Sequence, residues 1–358
     1  MKFSLLRRPA RSNFLFALLF GLTLFALLLS SACGAFGQPG RATTTPTLTL
    51  TATFPPTLTP TPRPLGAADN PFVIGVVSED EDPQVAAAAD QAAKQFTEIT
   101  HASASSEVFQ SYNQLLEQME LGKIHAAWMP PLTYLYASQN HIATVALLTN
   151  HFGVYLYGTQ FLANVEKKFT PYFDPISGLT SADAATALQQ FKGLRPCWVD
   201  PGSASGYILP AGLLRINKVT VLPAVVAQTH TAVVRALYIK GICDFGATFS
   251  ISGDPRTSSA VQQDLPDVMN RVLIIWRTDP IIPNLSLTLN TALSEADRQT
   301  LTKGFMEIAK DDKGKALLSI SAGNYQIDEV KPVNDEIYDP LRDTAKALDL
   351  NLKDVIGK

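Results

Sequence analysis

Two serines, Ser203 and Ser205, lie where a predicted strand ending at Asp200 turns into a predicted helix. The first turn of a helix has free backbone N–H groups, and its aligned peptide dipoles favour negative charge. Serine hydroxyls add hydrogen-bond donors without adding positive charge. Pro210 fits only an early helical turn, so the helix should begin close to the serines. This spacing indicates a site for a tetrahedral oxyanion, with an ordinary helix-capping loop as the structural alternative.

A serine nucleophile is the second chemistry that this loop could support. In the segment from Gly202 to Gly206, however, the centre of a would-be G-x-S-x-G motif is Ala204. A hydrolase would have to pair Ser203 or Ser205 with a histidine outside that pattern. The loop therefore favours binding over bond cleavage.

Short apolar runs alternate with helical stretches on both sides of this loop. Residues 71–77 predict a strand and 84–100 a helix, and a second alternating series at 182–249 includes a strand predicted at 218–223. Regular alternation predicts mainly parallel sheets with helices on both faces. Two such series joined by long extended segments predict two α/β lobes. Their ligand cleft should lie between the lobes, beyond the carboxyl ends of the strands.

The last third of the chain is expected to return to the first lobe. Strand-like runs at 270–276 and 285–290 precede a helical pattern that has Ser294 as its candidate N-cap. The expected division is discontinuous: residues 67–157 and 280–358 form lobe 1, and residues 160–275 form lobe 2.

The amino-terminal residues have the pattern of an export signal. Four basic residues among the first eleven precede an apolar run from 14 to 29, whose 16 residues are fewer than the roughly 20 that span a bilayer. Small residues then precede Cys33, as in a bacterial lipobox, although Ser30 stands where Leu is usual. We expect residues 1–32 to be a signal peptide removed before a lipidated Cys33. A plain secreted protein and an uncleaved anchor are the alternatives.

Residues 33–66 are predicted to form a tether. Between 41 and 64, Thr and Pro supply 16 of 24 residues, and no acidic residue occurs. Such a segment cannot pack a core, and its prolines favour extended backbone. A tether that follows a lipidated cysteine predicts a globular part held at the outer face of the cell membrane.

Charge and cysteine content exclude several classes of protein. The 358 residues have 17% charged side chains and a net charge of −3, and loss of the four basic residues of the signal would make the net charge more negative by four. No basic field is left to hold a nucleic-acid backbone, so any bound anion must be held by local dipoles. Three cysteines without paired C-x-x-C spacing exclude a zinc ribbon, and we expect no metal and no cofactor.

Four segments, in order along the chain, resemble the phosphate-, phosphite- and phosphonate-binding proteins of ABC transporters. VDPGSASGYILPAGLL, at 199–214, is similar to the VDP-x-S-T-S-G-Y segment of that family. The other three segments, at 111–138, 228–248 and 274–284, resemble its Y…E…G-x-x-D-x-A-W-x-x-P-x-x-Y, H…G-x-x-D-x-G-A-T and W-x-S-x-x-I-P-N segments. Each motif is modest by itself, but four in the family's order make a specific signal.

The resemblance implies the type 2 periplasmic-binding-protein fold, an α/β fold in which two lobes close on an oxyanion. By matching motifs it assigns the ligand contacts to Ser203, Ala204, Ser205, His230, Tyr112 and Tyr157. Tyr155 is the alternative to Tyr157, because alternation along a strand leaves both on one face. For His230 the alternative is a surface position near a helix N-cap.

Three further residues are candidates for the wall of the cleft, with core packing as the alternative: Trp128, Pro131 and Tyr134. The sequence also departs from the family, since Ala204 stands where Thr is usual. It has no Glu near residues 250–252, and Leu285 replaces a common Asp. In binders of aminoalkylphosphonates those acids would receive the amino group, so their absence argues against an amine-bearing ligand.

Cys197 and Cys243 occupy equivalent places in two predicted strands of lobe 2. The resemblance makes those strands neighbours, and a disulfide is permitted outside the cell. Free buried thiols are the alternative.

The implied function is capture of a small phosphorus oxyanion, of the phosphonate, phosphite or phosphate type. A monomeric, lipid-anchored solute-binding protein would present this ligand to an ABC permease, and no bond would be broken. Two alternatives remain open from the sequence: a sensor or scaffold module of the same fold, and a hydrolase that uses a serine with His230.

Overall fold

The computed structural model describes residues 63–356. The predicted signal peptide, Cys33 and all but the last residues of the predicted tether lie outside this range. Within it, no helix combines the length and the apolar character needed to cross a bilayer.

Residues 63–356 form two open sheets of six strands each, flanked by helices. The strands are β1 (Phe72–Val77), β2 (Ala104–Phe109), β3 (Ala126–Met129), β4 (Ala143–Asn150), β5 (Leu156–Asn164), β6 (Pro196–Trp198), β7 (Val225–Val226), β8 (Phe245–Ser250), β9 (Val272–Arg277), β10 (Ile282–Pro283), β11 (Ser286–Asn290) and β12 (Glu329–Pro332). The helices are α1 (Pro83–Thr100), α2 (Tyr112–Glu120), α3 (Pro131–Gln139), α4 (Ala184–Ala187), α5 (Leu209–Ile216), α6 (His230–Ile239), α7 (Ser259–Asp264), α8 (Val268–Arg271), α9 (Glu295–Ile308), α10 (Asp312–Ser321) and α11 (Asp339–Ala347). The expected two-lobed α/β architecture is confirmed.

Both sheets are mixed, which corrects the expectation of mainly parallel sheets. The first has the order β12-β4-β11-β3-β1-β2, and only the pairs of β1 with β2 and β3 are parallel. The second has the order β10-β5-β8-β6-β7 with β9 also on β5, and only the pairs of β6 with β7 and β8 are parallel. A parallel pair needs a crossover connection, usually a helix. Strands β5 and β11 bring the chain from one sheet into the other without a crossover helix, and they pair antiparallel with their neighbours.

A serine caps the start of α9, as the sequence predicts. The side chain of Ser294 accepts the N–H of Asp297 at 3.2 Å, so the predicted N-cap of α9 is confirmed.

The strand predicted at 218–223 is wrong, because only Val225 and Val226 pair with β6. Lys218 has a φ of 57°, which breaks the extended backbone at that point, and Pro223 has no N–H to donate.

The C-terminal segment packs against elements on both sides of the molecule. Helix α11 lies against α5, where a Cβ added to Gly212 would be 2.5 Å from the Cβ of Thr344. Tyr338, just before α11, packs against Tyr134 of α3 with ring centroids 4.4 Å apart. Residues 335–356 therefore join the helices of the first sheet to the helix that follows β6.

Cys197 of β6 and Cys243, just before β8, are joined by a disulfide. The bond ties β6 to the residues that precede the neighbouring parallel strand β8 in the second sheet. Both half-cystines are buried among the apolar residues between that sheet and α6.

Replacing both cysteines by serine should lower the free energy of unfolding by about 4 kcal/mol. The crosslink spans 46 positions of sequence, and its loss returns that loop-closure entropy to the unfolded chain. Urea denaturation of the oxidised protein and the double variant measures the difference. Equal midpoints and slopes would contradict the expectation.

Candidate functional site

A cavity of about 860 Å³ lies between loops that extend from the two sheets. It contains all six residues that the family motifs assign to the ligand, and also Pro131. The first sheet's side contributes Tyr112 and Pro131 from the starts of α2 and α3, and the second contributes the serine loop and His230. The structure thus brings the predicted contacts into one place.

The serine loop begins where β6 ends and is held by its own backbone. Asp200 accepts the N–H of Gly202 on Oδ1 at 2.8 Å and the N–H of Ser203 on its carbonyl oxygen at 3.1 Å. The side chain of Ser203 then accepts the N–H of Gly206 at 3.0 Å. Ser203 is therefore a helix cap, as in the capping loop that was the alternative interpretation of this segment. Its hydroxyl proton stays available to a ligand.

The helix begins with one π-helical turn, Ala204–Ile208, before α5. The carbonyl of Ser203 accepts the N–H groups of both Tyr207 and Ile208 at 3.0 Å. Within residues 63–356, the N–H groups of Ala204 and Ser205 donate to no protein acceptor. Two backbone donors therefore remain free where the helix dipole favours an anion.

Ser205 is buried, with 3% of its surface exposed, yet it lines the cavity. Its carbonyl accepts the hydroxyl of Thr159 on β5 at 2.5 Å, which fixes the helix start against the sheet. Among the hydrogen bonds of residues 63–356, none involves the Ser205 hydroxyl, and the residue lines the cavity. The hydroxyl is thus free to bind a ligand.

His230 is the first residue of α6, and its ring is oriented by the backbone of β8. The N–H of Phe249 donates to Nδ1 at 3.3 Å. Because a backbone N–H can only donate, Nδ1 carries no proton, and the neutral ring has its proton on Nε2. Burial lowers the pKa of His230 to about 4. At neutral pH the ring is therefore an uncharged donor.

Tyr112, at the start of α2, and Tyr157, on β5 of the second sheet, line the same cavity. Burial is the main cause that raises the pKa of each phenol above its ordinary value, and Glu79 adds to this for Tyr112. Both hydroxyls therefore keep their protons. Tyr155, the alternative to Tyr157, is absent from the described lining and has its ring under Lys331, with Nζ 3.9 Å from the ring centroid.

Only one of the three candidate wall residues lines the cavity, as far as the described residues show. Pro131 does so, at the start of α3. Trp128 packs edge-on against Phe305 at 5.9 Å, in the core between the first sheet and α9. Tyr134 packs on Tyr338 and donates to Asp335 at 2.6 Å. The core alternative holds for both aromatics, because β3 and α3 point these side chains away from the cavity.

The cavity holds polar donors but no lysine or arginine among its described lining residues. Its two acids are Glu79, which is exposed, and Asp254, whose carboxylate is paired with Arg256 at 2.6 Å. An anion would meet neutral donors here: two N–H groups, hydroxyls and the His230 ring. Such donors replace the hydrogen bonds of water to an anion without forming a salt bridge.

Several lining residues were not predicted from the sequence, chiefly apolar ones. Phe249 follows the G-A-T motif directly, and that position could have indicated it. Phe152 lies in the connection from β4 to β5, and Val355 and Ile356 come from the chain's far end. The carbonyl of Val355 lies 2.9 Å from where a Cβ on Gly202 would be, a long-range contact with no local signal.

A family model described as the periplasmic substrate-binding protein of phosphonate ABC transporters matches residues 74–338. The chain belongs to this family. Members are substrate-binding proteins that lie outside the cytoplasm and deliver ligand to the permease of an ABC transporter. They are not enzymes. Family membership thus excludes the hydrolase alternative and confirms the resemblance seen in the four segments.

Solved structures share the fold of this chain. XAC2383 from Xanthomonas citri bound to chloride ion has a TM-score of 0.58 at 16% identity, with 80% of this chain and 99% of that chain covered. PhnD1 from Prochlorococcus marinus in complex with methylphosphonate has a TM-score of 0.50 at 13% identity, with 78% and 98% covered. At these identities the likeness shows the fold. No curated protein matches the chain significantly.

Gly206→Ala should lower the free energy of unfolding of the protein by about 3 kcal/mol, because the serine loop has no room for an added Cβ. The added Cβ would lie 2.6 Å from the Cβ of Val199 and 2.8 Å from Oγ of Ser203. Gly122→Ala is the matched control: no atom lies within 4 Å, and its φ of 72° costs about 1 kcal/mol. Chemical denaturation measures both variants. Equal losses would contradict the close approach.

The His230 ring should stay neutral from pH 8 to pH 5, with its proton on Nε2. Its folded pKa of about 4 lies below the unfolded value, so the unfolded chain binds the extra proton first. His230 therefore lowers the stability of the fold progressively as the pH falls from about 6.5 towards 4. Nitrogen-15 NMR of the imidazole measures the ring state directly. A titration midpoint near 6.5 would contradict this environment.

Proposed function

We propose that this substrate-binding protein captures a small phosphorus oxyanion, of the phosphonate, phosphite or phosphate type, between its lobes. Cys33 carries the lipid that holds it at the outer face of the cell membrane, and the ligand passes from it to an ABC permease. The observation that carries the proposal is the pair of free N–H groups at Ala204 and Ser205. Both residues line a cavity whose described lining has neutral donors and no lysine or arginine.

The donor set suits a tetrahedral anion. Oxygens of one phosphorus group can accept from the two N–H groups, from the hydroxyls of Ser203 and Ser205, and from Nε2 of His230. Charge-assisted hydrogen bonds of this kind are about twice as strong as neutral ones. PhnD1, a protein of the same fold, is in complex with methylphosphonate, which supports this ligand class.

Closure of the lobes completes the proposed site. Tyr112 lies on the side of the first sheet, while the serine loop and His230 lie on the side of the second. An anion that accepts hydrogen bonds from both sides binds the closed form more tightly than the open one, and so shifts the population towards closure. The closed form is the one that the permease would recognise.

Ser205→Ala and His230→Ala should each weaken ligand binding more than tenfold, since each removes a charge-assisted hydrogen bond worth about 1.5–3 kcal/mol. Isothermal calorimetry with methylphosphonate, phosphite and phosphate measures the affinities. His101→Ala is the control, because His101 is exposed in the turn after α1, outside the described lining. Unchanged affinity in both site variants would refute the assignment.

A further inference from the structure

We infer that the ligand is a phosphonate with a bulky, uncharged apolar substituent, and that Phe152 is a specificity residue that contacts this substituent. The inference rests on the proposed function, because the phosphonate group must occupy the donors at Ser205 and His230. It adds the chemistry of the rest of the ligand.

The size of the cavity is the first observation. Its volume of about 860 Å³ falls near the upper end of the range of roughly 300–1,000 Å³ that is typical for pockets of drug-sized ligands. The anion donors occupy only the part of it near the start of α5 and the first residue of α6. Most of the space therefore lies beyond the reach of a bare oxyanion.

The composition of the remaining wall is the second observation. The cavity lining exposes more apolar than polar surface, and its apolar side chains begin beside the anion donors, since the ring of Phe249 meets the His230 imidazole edge-on with centroids 4.8 Å apart. These apolar side chains include Leu132, Phe152, Phe249, Pro255 and Ile356, and polar side chains such as those of Thr133, His151 and Asn284 lie among them. A ligand group that fills this wall removes apolar surface from water, which stabilises the complex by about 25 cal/mol per Å².

Phe152 is the unusual member of this wall. It lies in the connection from β4 to β5, it is 58% exposed, and its φ of 50° is in the left-handed region that large side chains rarely adopt. Its ring packs on His151 at 4.3 Å, and His151 stacks in turn on Tyr325 at 4.2 Å. The strained turn and the aromatic stack hold an exposed phenyl ring at the cavity, where it is available to a ligand.

The charges of the cavity indicate that the substituent carries no cation. Asp254 already has Arg256 as its partner and also accepts from Gln160 at 3.0 Å. Glu79 is exposed to water, where an ion pair contributes little. No buried, unpaired carboxylate occurs among the described lining residues to receive an ammonium group.

Calorimetry on the purified protein with three probes tests the inference: benzylphosphonate, methylphosphonate and 2-aminoethylphosphonate. We expect benzylphosphonate to bind at least about tenfold more tightly than the other two, because only its ring fills the apolar wall. Equal or tighter binding of methylphosphonate or 2-aminoethylphosphonate would overturn the inference and leave the proposed function standing. Binding of none of the three probes would overturn the inference, and failure of phosphite and phosphate to bind as well would overturn the proposed function.

The variant Phe152→Ala tests the residue. It should weaken benzylphosphonate binding about tenfold and change methylphosphonate binding less than about twofold. Phe152→Leu, which keeps an apolar side chain, should recover part of the loss. Leu121→Ala is the control, because Leu121 is 65% exposed and lies outside the described lining. If Phe152→Ala weakens the binding of both probes equally, or leaves both affinities unchanged, the role of Phe152 is overturned. Thermal unfolding of each variant verifies that it is folded.

Discussion

The N–H of Val199 donates to the carbonyl of Gly206 at 3.2 Å, and this contact sets where the helix after β6 begins. Because Gly206 has no Cβ, the helix start can lie directly on the strand end. Ser203 then caps the turn, and its carbonyl takes two N–H groups in a π-helical turn. The N–H groups of Ala204 and Ser205 are left free as a consequence. The anion donors therefore depend on this one close approach, which the contacts with Thr159 and Val355 support from either side.

The neutral state of its hydrogen-bond donors is the second property that unifies the cavity. Burial keeps the His230 ring uncharged and the two tyrosines protonated, and Arg256 pairs with Asp254. A site built from dipoles agrees with the acidic chain around it, because no general positive field attracts anions to this protein. In the proposed site, the directions of these donors would select for an anion. The apolar side chains of the cavity would then distinguish one anion from another.

Much of the fold and the polar half of the site could be predicted from the sequence. Alternating strands and helices indicated two α/β lobes, and the motifs around Ser203 and His230 identified residues that the structure places in one cavity. Strand direction could not be predicted from periodicity, since a buried strand reads alike in parallel and antiparallel sheets. Trp128 likewise could not be assigned to core or cleft, because its local pattern fits both. Val355 and Ile356 reach the cavity only through the packing of α11, which no local pattern encodes.

A crystal structure of the protein with bound methylphosphonate tests the central claim most directly. The account predicts phosphonate oxygens at about 2.7–3.0 Å from the N–H groups of Ala204 and Ser205 and from Nε2 of His230, with no lysine or arginine in contact. A phosphonate group seated elsewhere, or held by a cationic side chain, would contradict it.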